Sequence, residues 1–298
     1  MAIFECKAEV APGAVEPLEE ILALQEEPRR LILEDKPSGR AWLAGYFETT
    51  DAAQTAWRSF VEAVDPEWIA GEPELRALAE ADWRDSYKAH FKAWKCGRLN
   101  WVPVWERAAF RLPAGEEVLW LDPGLAFGTG NHETTRLCVE RLVAFSEAPN
   151  SRLQVPREQW RVIDAGCGSG ILALSAAKLG LGEVTGFDND PEAGRVSEEN
   201  AALNGLAGGV KFAVGDLVTG LAGRRAELVL ANIQADVLMR FARDLVGAVA
   251  PNGVIILSGI LARELAEVRT VFAASAPGWR SDTRILGEWA DLVLTRSS

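Results

Sequence analysis

The stretch Arg161–Gly180, RVIDAGCGSGILALSAAKLG, decides the fold. RVIDA is short and mostly apolar, as a strand buried on both faces should be. GCGSG cannot continue a strand or start a helix without a turn, and its glycines let the backbone come close to a ligand. ILALSAAKLG is built from strong helix formers and closes on glycine. Strand, glycine turn and helix together make the first half of a βαβ unit. Downstream the alternation repeats. EVTGFDND is a strand ending in acids, PEAGRVSEENAALNG a helix, and VKFAVGD, AELVLANI and GVIILSG are further strands separated by helices. WRSDTRILGEWADLVLTR reads as two last strands joined by a turn. This order predicts an α/β, Rossmann-like sheet of seven strands, doubly wound and mostly parallel. Its ligand belongs at the carboxyl ends of the strands, where the strand order reverses.

Two ligand classes use such a loop. A dinucleotide fingerprint GxGxxG starting at Gly166 would need glycine where Ile171 stands, although Gly168-x-Gly170-x-x-Ala173 fits the looser GxGxxA form. The run Asp164-x-Gly166-x-Gly168-x-Gly170 matches in full the acidic-x-Gly-x-Gly-x-Gly pattern, and so resembles motif I of S-adenosylmethionine methyltransferases. Asp188 ends the second strand, 22 residues after Gly166, where an acid accepts from both hydroxyls of a ribose. Both ligand classes need that acid. Asp190 precedes Pro191 and reads as a helix N-cap. Asp216, after the third strand, is placed either to accept from an adenine amine or to serve as a plain loop acid. Asn232 ends the fourth strand, where an amide oxygen can hold an amine with its lone pair toward a methyl group. Ile233, Gln234 and Ala235 stand where base-amine methylating enzymes carry Pro-Pro and an aromatic, which argues against a flipped base as substrate.

Upstream, LDPGLAFGTGNHETT (Leu121–Thr135), taken with DAGCGSG, ANI and LSGIL, closely resembles the ribosomal protein L11 methyltransferase (PrmA) family. The resemblance implies a ferredoxin-like substrate-recognition domain over residues 1–77, a linker helix over 78–100 and a methyltransferase domain over 101–298. It implies methyl transfer from S-adenosyl-L-methionine to lysine side chains and the N-terminal α-amine of that ribosomal protein, free or on the ribosome, in the cytoplasm. By motif position it suggests cofactor contacts from Thr135, Gly166, Asp188 and Asn232, with Gly168 and Asp216 beside them. Phe127, Gly128, Thr129 and Gly130 would wall the cofactor and the substrate channel, and Asn232 would hold the acceptor. Residues 146–160 are longer than the usual link at this point, a surface insertion. The first eighty residues match the family in pattern more than in identity.

Those eighty residues alternate in short elements. IFECKAEVA, RRLILED, AWLAGYFET and EWIAGEPEL are strand-like. GAVEPLEEILALQ has helical spacing, as does DAAQTAWRSFVEAV, with Asp51 at its N-cap. The order β-α-β-β-α-β is that of a ferredoxin-like sandwich. PELRALAEADWRDSYKAHFKAW then reads as one helix with Trp83, Tyr87, Phe91 and Trp94 along a packing stripe, and Gly97 after it as a hinge.

Composition bounds the function. The chain of 298 residues is 48% hydrophobic and 25% charged, and carries −12. That charge makes direct nucleic-acid binding unexpected. Residues 1–80 hold seven Lys/Arg against seventeen Asp/Glu, whereas residues 81–100 hold five against two. The shift marks a boundary, and the acidic segment suits a basic partner. Four scattered cysteines without a CxxC pair read as reduced thiols in a cytosolic protein. No apolar run reaches the length of a membrane span, so no membrane partner is expected. The chain has only two histidines, His90 and His132, too few for the usual zinc site, and no metal is expected. His132 is structural or at most a proton acceptor, and Thr134 caps the helix. The remaining alternatives are a methyltransferase for another protein lysine or small amine, and a nucleotide-dependent oxidoreductase.

Overall fold

A computed structural model of the chain describes residues 3–11, 13–23, 30–35, 39–47, 49–78, 92–122, 132–147 and 156–296. They fall into two compact units, Met1–His90 and Phe91–Ser298.

The first unit runs β1 (Ile3–Val10), α1 (Val15–Ala23), β2 (Arg30–Asp35), β3 (Arg40–Phe47), α2 (Thr50–Val61) and β4 (Ile69–Leu78). The sheet order is β2-β3-β1-β4, with every neighbouring pair antiparallel. Cys6, Ala8 and Val10 alternate along β1 into a core shared with Leu18, Leu43, Trp57 and Phe60. The cap of α2 falls two residues before the expected Asp51. Thr49 is extended and its hydroxyl accepts from Ala52 N at 3.1 Å, while Asp51 sits inside the first turn.

The expected linker helix is corrected at both ends. Pro73–Leu78 continues β4, paired to β1 through Ile3↔Leu78 and Phe4↔Ala77. Pairing supplies backbone partners that outweigh the helical preference of LRAL. Trp94 begins β5 (Trp94–Cys96), which pairs with β6 (Leu99–Pro103). Gly97 is therefore not a hinge. It turns this hairpin at φ +54°, where a Cβ would lie 2.6 Å from the Val143 side chain. Trp83, Tyr87 and Phe91 lie outside the described residues.

The second unit holds two sheets. The smaller, β5-β6-β7 with β7 at Glu117–Leu121, had no counterpart in the sequence reading. Trp101 of β6 is fully buried and donates from its indole to Ser175 Oγ at 2.8 Å. After α3 (Glu133–Glu147) come β8 (Arg161–Ala165), α4 (Ile171–Lys178), β9 (Glu183–Asp188), α5 (Pro191–Leu203), β10 (Val210–Val214) and α6 (Leu217–Leu221). The chain continues through β11 (Ala226–Asn232), α7 (Ala235–Arg240), α8 (Ala242–Gly247), β12 (Val249–Leu261), α9 (Leu265–Ser275), β13 (Arg280–Leu286) and β14 (Trp289–Thr295).

The larger sheet has seven strands in the order β10-β9-β8-β11-β12-β14-β13. β10 through β12 run parallel, and β14 and β13 complete a mixed sheet antiparallel at that edge. Alternation in the central strands feeds two cores. Val162, Leu228 and Ile256 face one side with Leu142 and Leu174, while Ile163, Val229 and Ile255 face the other with Phe187 and Phe272. Both faces are thus covered, as a parallel sheet requires. Strand order reverses between β8 and β11, so their loops diverge and leave a crevice at the carboxyl ends. Among the described residues no helix is long and apolar enough to cross a membrane.

Candidate functional site

The glycine loop after β8 is fastened on two sides. Gly166, at φ +75°, and Cys167 both donate to Phe187 O, at 2.9 and 3.0 Å. Gly168 N donates to Asp188 Oδ2 at 2.9 Å, and Ser197 Oγ to Gly168 O at 2.8 Å. Asn200 of α5 bridges farther: its Nδ2 donates to Ser169 O, and its Oδ1 accepts from Asp122 N at the end of β7. Asn204, one turn on, exchanges bonds with both N and O of Trp120. The two asparagines of NAALN hold the exit of β7 against the glycine loop. Sequence reading passed over them because a helical asparagine looks like any polar surface residue.

Beyond the loop lies a cavity of about 550 Å³ at the carboxyl ends of β8, β9, β10 and β11. Gly166, Gly168, Asp188 and Asp216 line it, together with Asn232, His132, Val237, Phe241 and Trp289. Of the expected site residues, the structure brings Gly166, Gly168, Asp188, Asp216 and Asn232 to this one space. Thr135 is buried beside it, its hydroxyl 3.4 Å from Asn232 Nδ2. Phe127, Gly128, Thr129 and Gly130 lie outside the described residues.

Each side chain has a specific setting. Asp188 accepts Gly168 N on one oxygen and Asp190 N on the other, at 3.0 Å, so it braces the loop as well as facing the cavity. Asp190 caps α5 through Glu192 N, with Pro191 in the first turn. Asp216 is the N-cap of α6 in a capping box with Thr219, whose backbone N–H holds the carboxyl below the usual range. His132 Nδ1 lies 2.8 Å from Thr134 Oγ1, and the ring meets Trp289 edge-on at 4.9 Å. Thr134 is buried, and its carbonyl accepts from Ser258 Oγ at 3.0 Å.

Ile233 explains a second glycine. A Cβ on Gly166 would lie 2.4 Å from Ile233 Cγ2, and one on Gly259 (φ +82°) 2.3 Å from Ile233 O. A glycine of the loop after β8 and one at an irregularity within β12 thus let the turn after β11 settle between them and present Asn232 to the cavity. Trp289 and Phe241 carried no motif to announce them, because their place in the site depends on β14 pairing with β12 and on α7–α8 packing against the sheet.

Among the described residues, two buried side-chain oxygens have no hydrogen-bond partner, Asn232 Oδ1 and Asp164 Oδ1. Asp164 is fully buried, and its Oδ2 accepts from Ala173 N at 2.9 Å. Burial pushes its carboxyl up to about 7. Burial likewise raises the Cys138 and Cys167 thiols beside it, which keeps them un-ionised. Among the described residues no group of three His, Cys, Asp or Glu could hold a metal ion.

The residues present suit a nucleoside-bearing cation. The glycine loop allows close backbone approach, Asp188 stands at the end of β9, and the unpartnered Asn232 Oδ1 lies at the cavity. A glycine loop and an acid at the end of the next strand, on a seven-stranded mixed sheet, are those of a Rossmann-like methyltransferase architecture.

Comparison with known proteins specifies it further. The profile of the family described as ribosomal protein L11 methyltransferase (PrmA) matches residues 16–297, and the chain belongs to that family. A ribosomal protein L11 methyltransferase of Trichlorobacter lovleyi is 46% identical over 212 residues, covering 71% of this chain and 67% of its own length. One from Pelobacter propionicus is 42% identical over 215 residues, covering 72% and 66%. These alignments span about two thirds of the relatives' length. The crystal structure of a ribosomal protein L11 methylase from Lactobacillus delbrueckii subsp. bulgaricus superposes with a TM-score of 0.60 at 31% identity, covering 70% of this chain and 100% of that one.

Proposed function

We propose that the protein transfers methyl groups from S-adenosylmethionine to amines of ribosomal protein L11, lysine side chains and the α-amine among them. The observation that carries this reading is Asn232, which lines the cavity with its amide oxygen buried and unpartnered. The Thr135 hydroxyl lies against its Nδ2, so the oxygen is the free end. An acceptor amine donating one N–H to Oδ1 keeps its lone pair free for in-line attack. The bound cofactor supplies a methyl group activated by a sulfonium. Gly166, Gly168 and Asp188 would hold its nucleoside and methionine portions, with Asp216 at the adenine end. Phe127 to Thr129 would cover it.

A lysine amine titrates near roughly 10.4 in water and must be neutral to attack. Val237, Phe241 and Trp289 give the cavity apolar walls, which favour the neutral form of an amine beside them. Positioning and desolvation therefore carry the chemistry, with His132 a wall residue held through Thr134.

We read the first unit as ferredoxin-like and substrate-recognising. Its β-α-β-β-α-β order and antiparallel β2-β3-β1-β4 sheet support the fold, and its acidic balance suits a basic protein partner. A ribosomal substrate places the enzyme in the cytoplasm. The test is transfer of tritiated methyl groups from labelled S-adenosylmethionine into purified ribosomal proteins, read on a gel. Label in L11, lost with Asn232→Ala, is the expected result. Label in another protein, or in none, overturns the substrate.

A further inference from the structure

We propose that the second unit carries a further ligand site, for a small aromatic carboxylate, in a cavity under α9 and apart from the candidate active site. The inference does not rest on the function proposed above.

This cavity, of about 430 Å³, lies between α9, the turn before β13, and β14. It shares no lining residue with the cavity at the carboxyl ends of the strands. Strand β14 serves both. Trp289 lines the first cavity, whereas Leu292 and Leu294 line the second, roughly 10 and 17 Å farther along the strand. The hollow follows from small side chains. Ala266, Thr270 and Ala273 recur at four- and three-residue steps and so share one stripe of α9. Gly278 lines the cavity from the turn and Ser281 from β13. Small residues on both sides leave room above the two buried leucines. The space falls within the range of small-molecule sites, roughly 300–1,000 Å³.

The lining selects the chemistry of the ligand. Arg269, on the same stripe of α9, is the one charged residue lining the cavity, in a chain whose net charge is −12. Among the described residues no carboxylate pairs with its guanidinium. Thr270 Oγ1 already donates to Ala266 O at 2.9 Å, which leaves the Ser281 hydroxyl and the Trp279 indole N–H as further donors. Trp279 also supplies a flat wall. Arg296 lies over its ring at 5.7 Å without lining the cavity, and is itself fixed by donating Nη1 to Val249 O at 2.8 Å. A guanidinium offers paired N–H groups that match a carboxylate. The indole and the two leucines suit a flat apolar body, with the ring free to stack. An inorganic anion would leave those apolar walls uncovered, and a neutral aromatic would leave Arg269 without a counter-charge. An aromatic carboxylate meets both demands.

Calorimetric titration of the whole chain with naphthalene-2-carboxylate, and separately with its uncharged amide, tests the site. The carboxylate should bind with a dissociation constant of about 1 mM or tighter, and the amide at least about tenfold more weakly. Arg269→Gln should weaken the carboxylate by at least about tenfold and leave the amide within about twofold. Ala273→Leu, which fills the hollow, should weaken both ligands. The two substitutions fall at exposed positions of α9, where the fold tolerates them. Equal binding of acid and amide by the parent protein overturns the proposal without recourse to a variant. So does an affinity for the carboxylate that survives either substitution, or no binding up to about 10 mM. Competition by S-adenosylhomocysteine would put the carboxylate in the first cavity, and overturns it as well.

Discussion

Two fully buried aspartates of the second unit make opposite use of the same chemistry. Asp291, on β14, receives Arg141 of α3 through Nε at 2.7 Å and Nη2 at 2.8 Å, and accepts Arg284 N at 2.7 Å. Arg141 also pairs with Asp282 across the β13–β14 hairpin. That carboxylate is supplied with donors and a balancing charge, and it joins α3 to the antiparallel edge of the sheet. Asp164 has one backbone donor, two thiols and another acid for company. A buried charge that is fully paired holds structure together. One that is left unpaired costs stability.

The contrast can be broken from either side. Arg141→Met turns Asp291 into a second orphaned acid, and should destabilise the fold by about 3–5 kcal/mol in a denaturant titration. Arg141→Met with Asp291→Leu should recover most of the loss. A single variant as stable as the parent would mean the pair is not what holds α3.

Asp164→Asn works in the reverse sense. Its folded-state value of about 7 lies above the unfolded value of about 3.9, so protonation favours the folded state. Stability then falls as pH rises from about 4 through about 7, and levels off above. The variant should therefore be more stable than the parent by about 2–4 kcal/mol at pH 8, with no gain at pH 4. A variant less stable at both values would show that the carboxylate is welcome where it sits.

Asn232→Ala removes the other unpartnered oxygen. Turnover should fall by about 100-fold, on the order of 2.7 kcal/mol, with cofactor affinity little changed. Equal losses in affinity and turnover would place Asn232 with the cofactor rather than the acceptor. His132→Ala, which removes a ring already engaged with Thr134 and Trp289, should reduce turnover by less than about tenfold and leave the rise of rate with pH intact. A collapse by several orders of magnitude would make His132 the proton acceptor.

Legibility from sequence followed the range of the forces involved. The glycine loop, the acid at the end of β9, the cap at Asp190 and the amide at Asn232 could all be read, because each depends on neighbours a few residues away. Other features could not. LRAL favours a helix by itself but becomes β4 because β1 offers a backbone edge. Trp94, read as part of a helical packing stripe, instead stacks on Trp101 at 4.2 Å because β5 pairs with β6. Asn200 and Asn204 became braces because α5 passes the end of β7. Asp216 carried two meanings in sequence, and its capping bonds to Thr219 are local enough to have been proposed then.

By itself, then, the sequence determined the class of sheet, the end at which the candidate site forms and the chemical identity of its glycine loop. Spacing and backbone propensity act within one strand–turn–helix unit, and are complete once the residues are written down. Tertiary structure alone decided which buried polar groups would be satisfied. Asp164 and Asp291 are the same residue type on strands of the same sheet. Only the arrival of α3 gives one an arginine and the other a cysteine, and burial then makes that difference large.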